Sequence, residues 1–213
     1  MAPPKEPLYA KYLVYLTRPF PNFDFSFIKP IREKAIASLN LKNGDRVLDA
    51  GCGSGGSFPL LRRSVGPAGE VTGIDISHGS VINAGRRVAS NSWKNVRLLE
   101  GDAASVALDG AFDGLLMFGA PDVYASERVL GHILPHMKAG ARVAFFGAKI
   151  AQGGVGWLTN AFIRTAFRLT SPKTPGIEEK PWRVMEKYLS GVEVREYFSG
   201  SMFLATGALS LAK

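Results

Sequence analysis

The sequence contains a glycine-rich segment from which its fold can be predicted, Asp49-Ala50-Gly51-Cys52-Gly53-Ser54-Gly55-Gly56. It follows Arg46–Ala50, whose apolar centre is typical of a short buried strand, and it precedes the helical pattern Phe58–Val65. Glycine has no side chain and tolerates positive φ, so a ligand can approach the backbone of such a loop closely. The N-terminus of the following helix offers free N–H groups to an anionic part of the ligand. We therefore predict an α/β domain with a ligand site at this loop.

Strand and helix patterns alternate along the rest of the chain. Further strands are predicted at Glu70–Asp75, Val96–Glu100, Phe112–Phe118 and Ala141–Phe146, and further helices at Ile31–Leu39, Gly79–Ser90 and Ser126–Met137. Strands that are separated by helix-length segments form βαβ units, which give a parallel sheet. The last two strand patterns, Val192–Phe198 and Met202–Ser210, are joined so tightly that they must pair antiparallel. The expected architecture is a doubly wound, mostly parallel sheet of seven strands that ends in an antiparallel hairpin.

The composition fits a single domain over residues 1–213, with an N-terminal cap at 1–30 and a lid-like insertion at 149–181. A chain of 213 residues with 46% hydrophobic residues has ample material for a core, which excludes a largely disordered protein. Cys52 is the single cysteine, so no internal disulfide is expected. The sequence shows neither a secretory signal nor a membrane span, so we expect a cytoplasmic location, with peripheral membrane contact left open.

The glycine loop fits two kinds of ligand. Its glycines satisfy G-x-G-x-x-G, the fingerprint of dinucleotide binding, and Asp75 lies at a suitable distance for a ribose. Asp49 favours another ligand, because a carboxylate at the end of the strand suits an ammonium or sulfonium group better than a pyrophosphate. Asp102 follows the third strand. Three carboxylates therefore stand at successive strand ends, where together they can bind an amino acid part, a ribose and an exocyclic amine.

These features resemble the class I S-adenosylmethionine-dependent methyltransferases. The segment Val47–Gly55 is similar to the first motif of that family, and the resemblance extends from about Leu41 to Phe146. The C-terminal hairpin matches the reversed last strand of the family. The region 66–77 is similar to the methyltransferase type 11 and quinone C-methyltransferase-like group. The resemblance implies a Rossmann-like fold, S-adenosylmethionine as cofactor, and methyl transfer to a small molecule.

The resemblance also implies roles for individual residues. Asp49 and the loop would hold the methionine part of the cofactor, Asp75 the ribose, and Asp102 the adenine amine. Phe118 and Gly119 would line the methionine end. The residues implied in cofactor binding are Asp49, Gly51, Cys52, Gly53, Gly55, Asp75, Ile76, Asp102, Ala103, Phe118 and Gly119.

The catalytic residues are harder to predict. The cofactor is itself the electrophile, so the protein contributes approach geometry and a base where the acceptor arrives protonated. The candidates for that base are Asp122, Tyr124, His132 and His136. Asp122 and Tyr124 follow the fourth strand, near where a methyl group would be transferred; the alternative for Asp122 is that it begins the next helix. His132 and His136 have the i, i+4 spacing of a helical metal site. No third ligand is suitably spaced and Pro135 disturbs the helix, so we expect no metal.

The sequence at the end of the fourth strand limits the classes of methyl acceptor that we expect. The sequence there, Phe118-Gly119-Ala120-Pro121, lacks the Asn/Asp-Pro-Pro-aromatic tetrad that is usual in methyltransferases acting on nucleobase amines. The amphipathic segment 155–169, with Trp157, and the aromatic N-terminus, with Tyr12 and Tyr15, are expected to cover the site. We therefore expect an apolar or amphiphilic acceptor, such as a quinone-like aromatic or a lipid.

The net charge of the chain suggests alternative partners and functions. A net charge of +8 is typical of proteins with anionic partners, including nucleic acid. Residues 149–176 carry four basic residues and no acid, which favours a lid, with contact to anionic lipid as an open possibility, over a groove for a polynucleotide. An RNA methyltransferase, a non-catalytic cofactor-binding regulatory protein and an NAD-dependent enzyme remain the alternatives. The sequence does not predict the oligomeric state.

Overall fold

A computed structural model describes residues 28–151 and 180–210. Its centre is a sheet with the strand order β3-β2-β1-β4-β5-β7-β6. The strands are β1 (Arg46–Ala50), β2 (Glu70–Asp75), β3 (Val96–Glu100), β4 (Phe112–Phe118), β5 (Met137–Ala148), β6 (Leu189–Tyr197) and β7 (Met202–Leu209). The helices are α1 (Lys29–Ser38), α2 (Phe58–Val65), α3 (His78–Ser90), α4 (Pro121–Tyr124), α5 (Glu127–Ile133) and α6 (Arg183–Glu186), with a 3₁₀ turn at Leu134–His136.

The pairing of the strands confirms the predicted fold class. Strands β1 to β5 pair in parallel, and β7 lies antiparallel between β5 and β6. The strand order reverses at β1, because the chain first builds outward through β2 to β3 and then continues on the other side with β4. In open α/β sheets, ligands bind in the crevice outside the carboxyl ends of the strands at such a reversal. The glycine loop leaves β1 at this point.

Strand β1 is buried on both faces, which gives the glycine loop a rigid base. Leu48 packs with Leu115 on one face of the sheet, and Val47 packs with Val71 on the other. All four side chains are fully buried, and each such burial contributes about 1.5–3 kcal/mol. Helices α1 and α2 cover the face of Val47, whereas α4 and α5 cover the face of Leu48.

The segment before β5 differs from the prediction. The predicted helix Ser126–Met137 ends as an α-helix at Ile133 and continues only as a 3₁₀ turn. Pro135 explains this ending, because proline has no N–H with which to continue the helical hydrogen bonds. Strand β5 then starts at Met137 rather than Ala141, and a register shift in its pairing with β4 accommodates the added residues. The short helices α4 and α6 were not among the predicted elements.

Several expected features lie outside the described residues. These are Tyr12, Tyr15, Trp157, the segment 155–169, and the N-terminal cap before residue 28. The division into one domain with a cap and a lid-like insertion therefore stays a prediction. Across 28–151 and 180–210, no helix is long and apolar enough to cross a membrane.

Candidate cofactor site

The loop after β1 needs glycine for two different reasons. Gly51, Gly53 and Gly55 have φ values of +81°, +55° and +76°, the left-handed region that glycine adopts readily. A Cβ on Gly51 would lie 2.4 Å from the Cβ of Ala120, so the loop packs too closely against the start of α4 for any side chain. At Gly53, by contrast, no atom of the described residues lies within 4 Å of a Cβ. The described residues therefore leave room for a ligand beside this part of the loop.

Asp49 carries a carboxylate oxygen that nothing in the described part of the chain satisfies. The residue is 1% exposed, and its Oδ2 atom has no hydrogen-bond partner among the described residues. Burial raises the pKa of Asp49 to about 7; the charge of Arg32 opposes this rise and the charge of Asp75 adds to it. A buried acceptor without a donor is costly. The position therefore fits a ligand that brings a cationic donor, such as the ammonium group of a methionine moiety.

Asp75, at the end of β2, holds the glycine loop in place. Its Oδ2 atom accepts a hydrogen bond from the N–H of Gly53 at 2.8 Å, and its Oδ1 atom accepts one from the N–H of Ser77 at 2.9 Å. Ser77 caps α3, because its hydroxyl accepts a hydrogen bond from the N–H of Ser80. A carboxylate has about four acceptor positions, so Asp75 can hold the loop and still accept from a ribose hydroxyl. The ribose contact stays a prediction.

Asp102 lies after β3, in the predicted adenine region, and is already engaged. Its Oδ1 atom accepts from the N–H of Ala104 at 2.9 Å, and its Oδ2 atom accepts from the Arg128 guanidinium at 2.7 Å. Partial burial raises the pKa of Asp102, but these two hydrogen bonds outweigh burial and hold the pKa below its ordinary value. Ala103 is buried and Ile76 is half-buried. An adenine amine that bonded Asp102 would have to share it with Arg128, whose side chain is 67% exposed.

The end of β4 provides an aromatic surface beside exposed backbone. Phe118 stacks on its register partner Phe146 of β5, with ring centroids 4.4 Å apart and an interplanar angle of 16°. Gly119 follows with a φ of +77°, and its N–H donates to the carbonyl oxygen of Phe146 at 2.9 Å. Gly119 is exposed, and no atom of the described chain lies within 4 Å of a Cβ built on it. A flat or apolar group can therefore approach the sheet here.

One charged residue of this region, Arg32 of α1, was not predicted from the sequence. Its side chain is buried, and its guanidinium carbon lies 4.7 Å from the centroid of the Phe118 ring. The guanidinium also lies 3.4 Å from where a Cβ on Gly56 would stand, and its charge acts on Asp49. One signal was present in the sequence. Arg32 stands one helical turn before Ile36, on the apolar face of the helix, where an arginine is unusual without a partner.

The two candidate bases that follow the fourth strand occupy different environments. Asp122 is half-buried in the first turn of α4. Tyr124 is fully buried, with its ring 5.5 Å from that of Phe145 and 5.8 Å from that of Phe203. Burial, followed by the nearby charge of Asp122, raises the pKa of Tyr124 far above its ordinary value, so its hydroxyl stays protonated. The position of Tyr124 is that of a core residue. A catalytic role for either residue stays a prediction.

The remaining histidines and the cysteine make structural contacts. The Nε2 atom of His132 lies 2.8 Å from the carbonyl oxygen of Val106, and the rings of His132 and His136 are 5.7 Å apart. Within the described ranges, no three His, Cys, Asp or Glu side chains are grouped so that they could hold a metal ion. Cys52 is buried, and burial, with the charges of Asp49 and Asp75, raises the pKa of its thiol. A protonated, buried thiol is a poor nucleophile.

Known proteins resemble the chain over this same region. Residues 41–148 match the model of a methyltransferase domain family. A demethylmenaquinone methyltransferase from Symbiobacterium thermophilum is 34% identical over 110 residues, which are 50% of this chain and 44% of that protein. The chain thus spans less than half the length of this curated relative.

Solved structures share the fold at low sequence identity. A Haloferax volcanii protein, solved in complex with the Trm112 methyltransferase activator, has a TM-score of 0.72 at 17% identity and covers 97% of this chain and 99% of its own. Geranyl diphosphate C-methyltransferase from Streptomyces coelicolor A3(2) has a TM-score of 0.67 at 16% identity and covers 84% and 75%. The family match covers β1 to β5 and the glycine loop, where Asp49 and Asp75 stand. The chain therefore belongs to the class I S-adenosylmethionine-dependent methyltransferases.

Proposed function

We propose that the protein transfers a methyl group from S-adenosylmethionine to an apolar or amphiphilic small molecule, such as a quinone-like aromatic or a lipid. When bound, the cofactor supplies an electrophilic methyl carbon: the acceptor forms a bond to it as the carbon–sulfur bond breaks, and S-adenosylhomocysteine leaves. The chain contributes position, because Asp49 and the glycine loop hold the donor in a fixed orientation toward the end of β4. Where the acceptor atom carries a proton, the half-buried Asp122 is better placed than Tyr124 to remove it.

The aromatic pair at the end of β4 is the observation that carries this proposal. Phe118 and Phe146 stack beside the exposed backbone of Gly119, at the same edge of the sheet as Asp49. Stacked rings favour flat, apolar partners, which approach them through offset or edge contacts. The side chains of Ala120 and Pro121, which follow, supply no amide or carboxylate for an exocyclic nucleobase amine.

The curated relatives support a quinone-like acceptor over other apolar molecules. The Symbiobacterium thermophilum protein is named for demethylmenaquinone, and its similarity of 34% identity covers half of this chain. A Staphylococcus aureus protein of the same name is 32% identical over 108 residues. Both alignments cover 44% of the relative, so the acceptor of this chain is proposed on the shared half alone.

Residues outside the described ranges are proposed to complete the acceptor side. Tyr12, Tyr15 and Trp157 supply aromatic surface for a cover, and the basic segment 155–169 supplies a contact for anionic lipid. The peripheral contact predicts that the protein sediments with vesicles of anionic lipid and not with vesicles of neutral lipid. Replacement of Arg164 and Arg168 by glutamine should reduce this sedimentation; equal sedimentation of the variant would contradict the contact.

A transfer assay tests the proposed acceptor class. The protein is incubated with methyl-labelled S-adenosylmethionine and a reduced naphthoquinone that has one unsubstituted ring carbon, and the methylated product is identified by mass spectrometry. Parallel reactions receive a lipid extract or total RNA. We expect label in the naphthoquinone or the lipid fraction.

Two outcomes would contradict the proposal. Label that enters RNA and neither small-molecule fraction would identify an RNA methyltransferase, the alternative that the net charge of +8 suggested. Binding of S-adenosylhomocysteine without transfer to any fraction would favour a non-catalytic cofactor-binding protein. The Asp49→Asn variant serves as the matched control, because it removes the charge at the cofactor site and leaves the acceptor surface unchanged.

A further inference from the structure

Two opposite charges are buried next to the glycine loop, where charged groups are normally expensive. Arg32 is 8% exposed and Asp49 is 1% exposed. A buried charge is tolerated only where other charges and hydrogen bonds compensate it. Neither residue lies on the surface, so salt and water screen their interaction less than they would for a surface pair.

The position of the Arg32 guanidinium is fixed from two sides. On one side it lies over the ring of Phe118, 4.7 Å from the centroid, where the negative face of the ring attracts a cation. On the other side it reaches the glycine loop, where three of its atoms would stand 3.4 Å from a Cβ on Gly56. Helix α1 carries Arg32 on the face that packs against the sheet, with Ile31, Ala35 and Ile36 buried beside it. Arg32 therefore lies between the glycine loop and the end of β4.

Three ionisable groups lie near Asp49: the cation Arg32, the carboxylate Asp75 and the thiol of Cys52. Arg32 of α1 stabilises the carboxylate form, whereas Asp75 of β2 destabilises it. Cys52 in the loop feels the charges of both aspartates, and its own thiol stays protonated. Arg32 is therefore the one described positive charge that acts on this carboxylate.

We propose that Arg32 is a positioning residue of the cofactor site, whose buried charge keeps Asp49 in the carboxylate form that the cofactor's ammonium group requires. Arg32 acts through Asp49 and through the stack on Phe118, and it needs no contact with the cofactor. The inference rests on the cofactor of the family and not on the acceptor proposed above. A wrong acceptor would leave it intact.

The proposal predicts a pH dependence with a definite sign. The pKa of Asp49 is raised to about 7, so the carboxylate form is lost as the pH falls through that value. Affinity for S-adenosylhomocysteine should then fall below pH 7. Without the charge of Arg32 the same loss should begin at a higher pH. A rise of about one pH unit in that midpoint weakens binding about fivefold at pH 7 and less than about twofold at pH 9.

Calorimetric titration with S-adenosylhomocysteine between pH 6 and pH 9 provides the test. Arg32→Met removes the charge and keeps much of the side-chain volume, whereas Arg32→Lys keeps the charge and should restore most of the wild-type profile. The ligand titrates too, but its contribution cancels in the ratio of variant to wild-type affinity. In the background of Asp49→Asn, Arg32→Met should produce no further pH-dependent loss.

Arg62→Met is the matched control. Arg62 of α2 also lies over an aromatic ring, 4.8 Å from the centroid of Trp93, and its Nε donates to Asn95. Within residues 28–151 and 180–210, it forms no ion pair with a carboxylate. Its loss should leave the pH profile of binding unchanged. A loss of affinity in Arg32→Met that is the same at every pH would overturn the proposal, because it would show that Arg32 binds the cofactor directly or only supports packing. A pH profile that Arg32→Met does not move would overturn it equally.

Discussion

The two edges of the sheet differ in how fully their buried polar groups are hydrogen-bonded. At the amino edge, where the strands begin, Asn95 uses its whole side chain: its amide donates to the carbonyl oxygens of Gly66 and Gly69, each at 3.1 Å, and its oxygen accepts from Arg62 at 2.7 Å. At the carboxyl edge, a buried oxygen of Asp49 has no partner in the described part of the chain, and no described atom lies within 4 Å of a Cβ built on Gly53 or Gly119.

This difference separates stability from function within one sheet. A buried polar group that is fully hydrogen-bonded stabilises the fold, whereas one left without a partner costs about 1–3 kcal/mol until a ligand reaches it. The amino edge therefore contributes to the free energy of unfolding. The carboxyl edge gives up part of that free energy to keep groups ready for the cofactor. Substitutions at the two edges should move stability and cofactor affinity in different proportions.

The largest expected effect on stability lies at the carboxyl edge itself, in the packing of the loop. Gly51→Ala forces a side chain into a left-handed φ and into contact with Ala120, and it should reduce the free energy of unfolding by about 2–4 kcal/mol. Gly53→Ala meets no neighbour among the residues that the structure describes and should cost only about 1 kcal/mol, while its new methyl group should hinder the cofactor. Urea unfolding and calorimetric titration separate the two effects. Equal destabilisation by both substitutions would show that backbone strain, and not the contact with Ala120, decides.

The next effect concerns the unsatisfied carboxylate. Asp49→Asn should weaken binding of S-adenosylhomocysteine by about 10- to 100-fold, the worth of a hydrogen bond to a charged group. The same change should stabilise the protein without cofactor at pH 8. The pKa of Asp49 is about 7, above its unfolded value, so this group lowers stability as the pH rises towards 7.

Thermal unfolding at two pH values measures the effect of Asp49→Asn on stability. At pH 8 the melting temperature of Asp49→Asn should exceed that of the wild type by about 2–6 °C, and at pH 5 the difference should shrink towards zero. A variant that is less stable than the wild type at both pH values would show that a group outside the described residues already satisfies Asp49.

A smaller effect is expected at the amino edge. Asn95→Ala removes three hydrogen bonds that join the end of α2 to the start of β3, and it should reduce the free energy of unfolding by about 1–3 kcal/mol. Affinity for S-adenosylhomocysteine should stay within about twofold of the wild type, since substitutions at distant sites act independently. A larger loss of affinity would mean that the two edges of the sheet are coupled.

The smallest expected effect is that of a half-exposed ion pair. Glu70 accepts from Arg46 at 3.0 Å and from the hydroxyl of Thr72 at 3.0 Å. Partial burial raises the pKa of Glu70, but these contacts hold it below its ordinary value, so their contribution is present at neutral pH and is lost as the pH falls through the folded-state pKa.

Solvent screening limits this contribution. Glu70→Gln should cost about 0.2–1 kcal/mol at pH 7 and less at pH 3, because the wild-type carboxyl takes up protons as the pH falls towards its lowered pKa. Urea unfolding at the two pH values measures the difference. A cost that is the same at pH 3 as at pH 7 would assign it to the hydrogen-bond geometry and not to the charge.

Most of the fold followed from local patterns. The bounds of β1, β2, β3 and β4 agree with the predicted strands residue for residue, because each is a short, largely apolar run that ends at a charged residue or just before a glycine. The start of β5 could not be predicted in this way. Its first residues are held by pairing with β4 across a register shift, and the sequence pattern of 137–140 shows no alternation.

The predicted site depended on recognition of a motif, and its limits are those of the motif. Asp49 and Asp75 were predicted because they stand in the last residues of strand patterns, and the glycine loop because it directly follows one. Arg32 lies outside the motif and reaches the site only because α1 packs against the sheet. The hydrogen bond from Gly53 to Asp75 was equally invisible, since 22 residues separate the two and only the pairing of β1 with β2 brings them together. Contacts of this kind depend on tertiary structure.

Because Cys52 is buried, the reactivity of its thiol can be used to measure how often the glycine loop opens. A thiol reagent can modify Cys52 only in the fraction of molecules whose loop has opened, because the closed loop leaves 7% of the residue exposed. The rate of modification therefore depends on the free energy of local opening, just as the rate of amide hydrogen exchange does for backbone groups. With Asp75 anchoring the loop through Gly53, saturation with S-adenosylhomocysteine should slow that rate, and the slowing reports how far the ligand closes the loop.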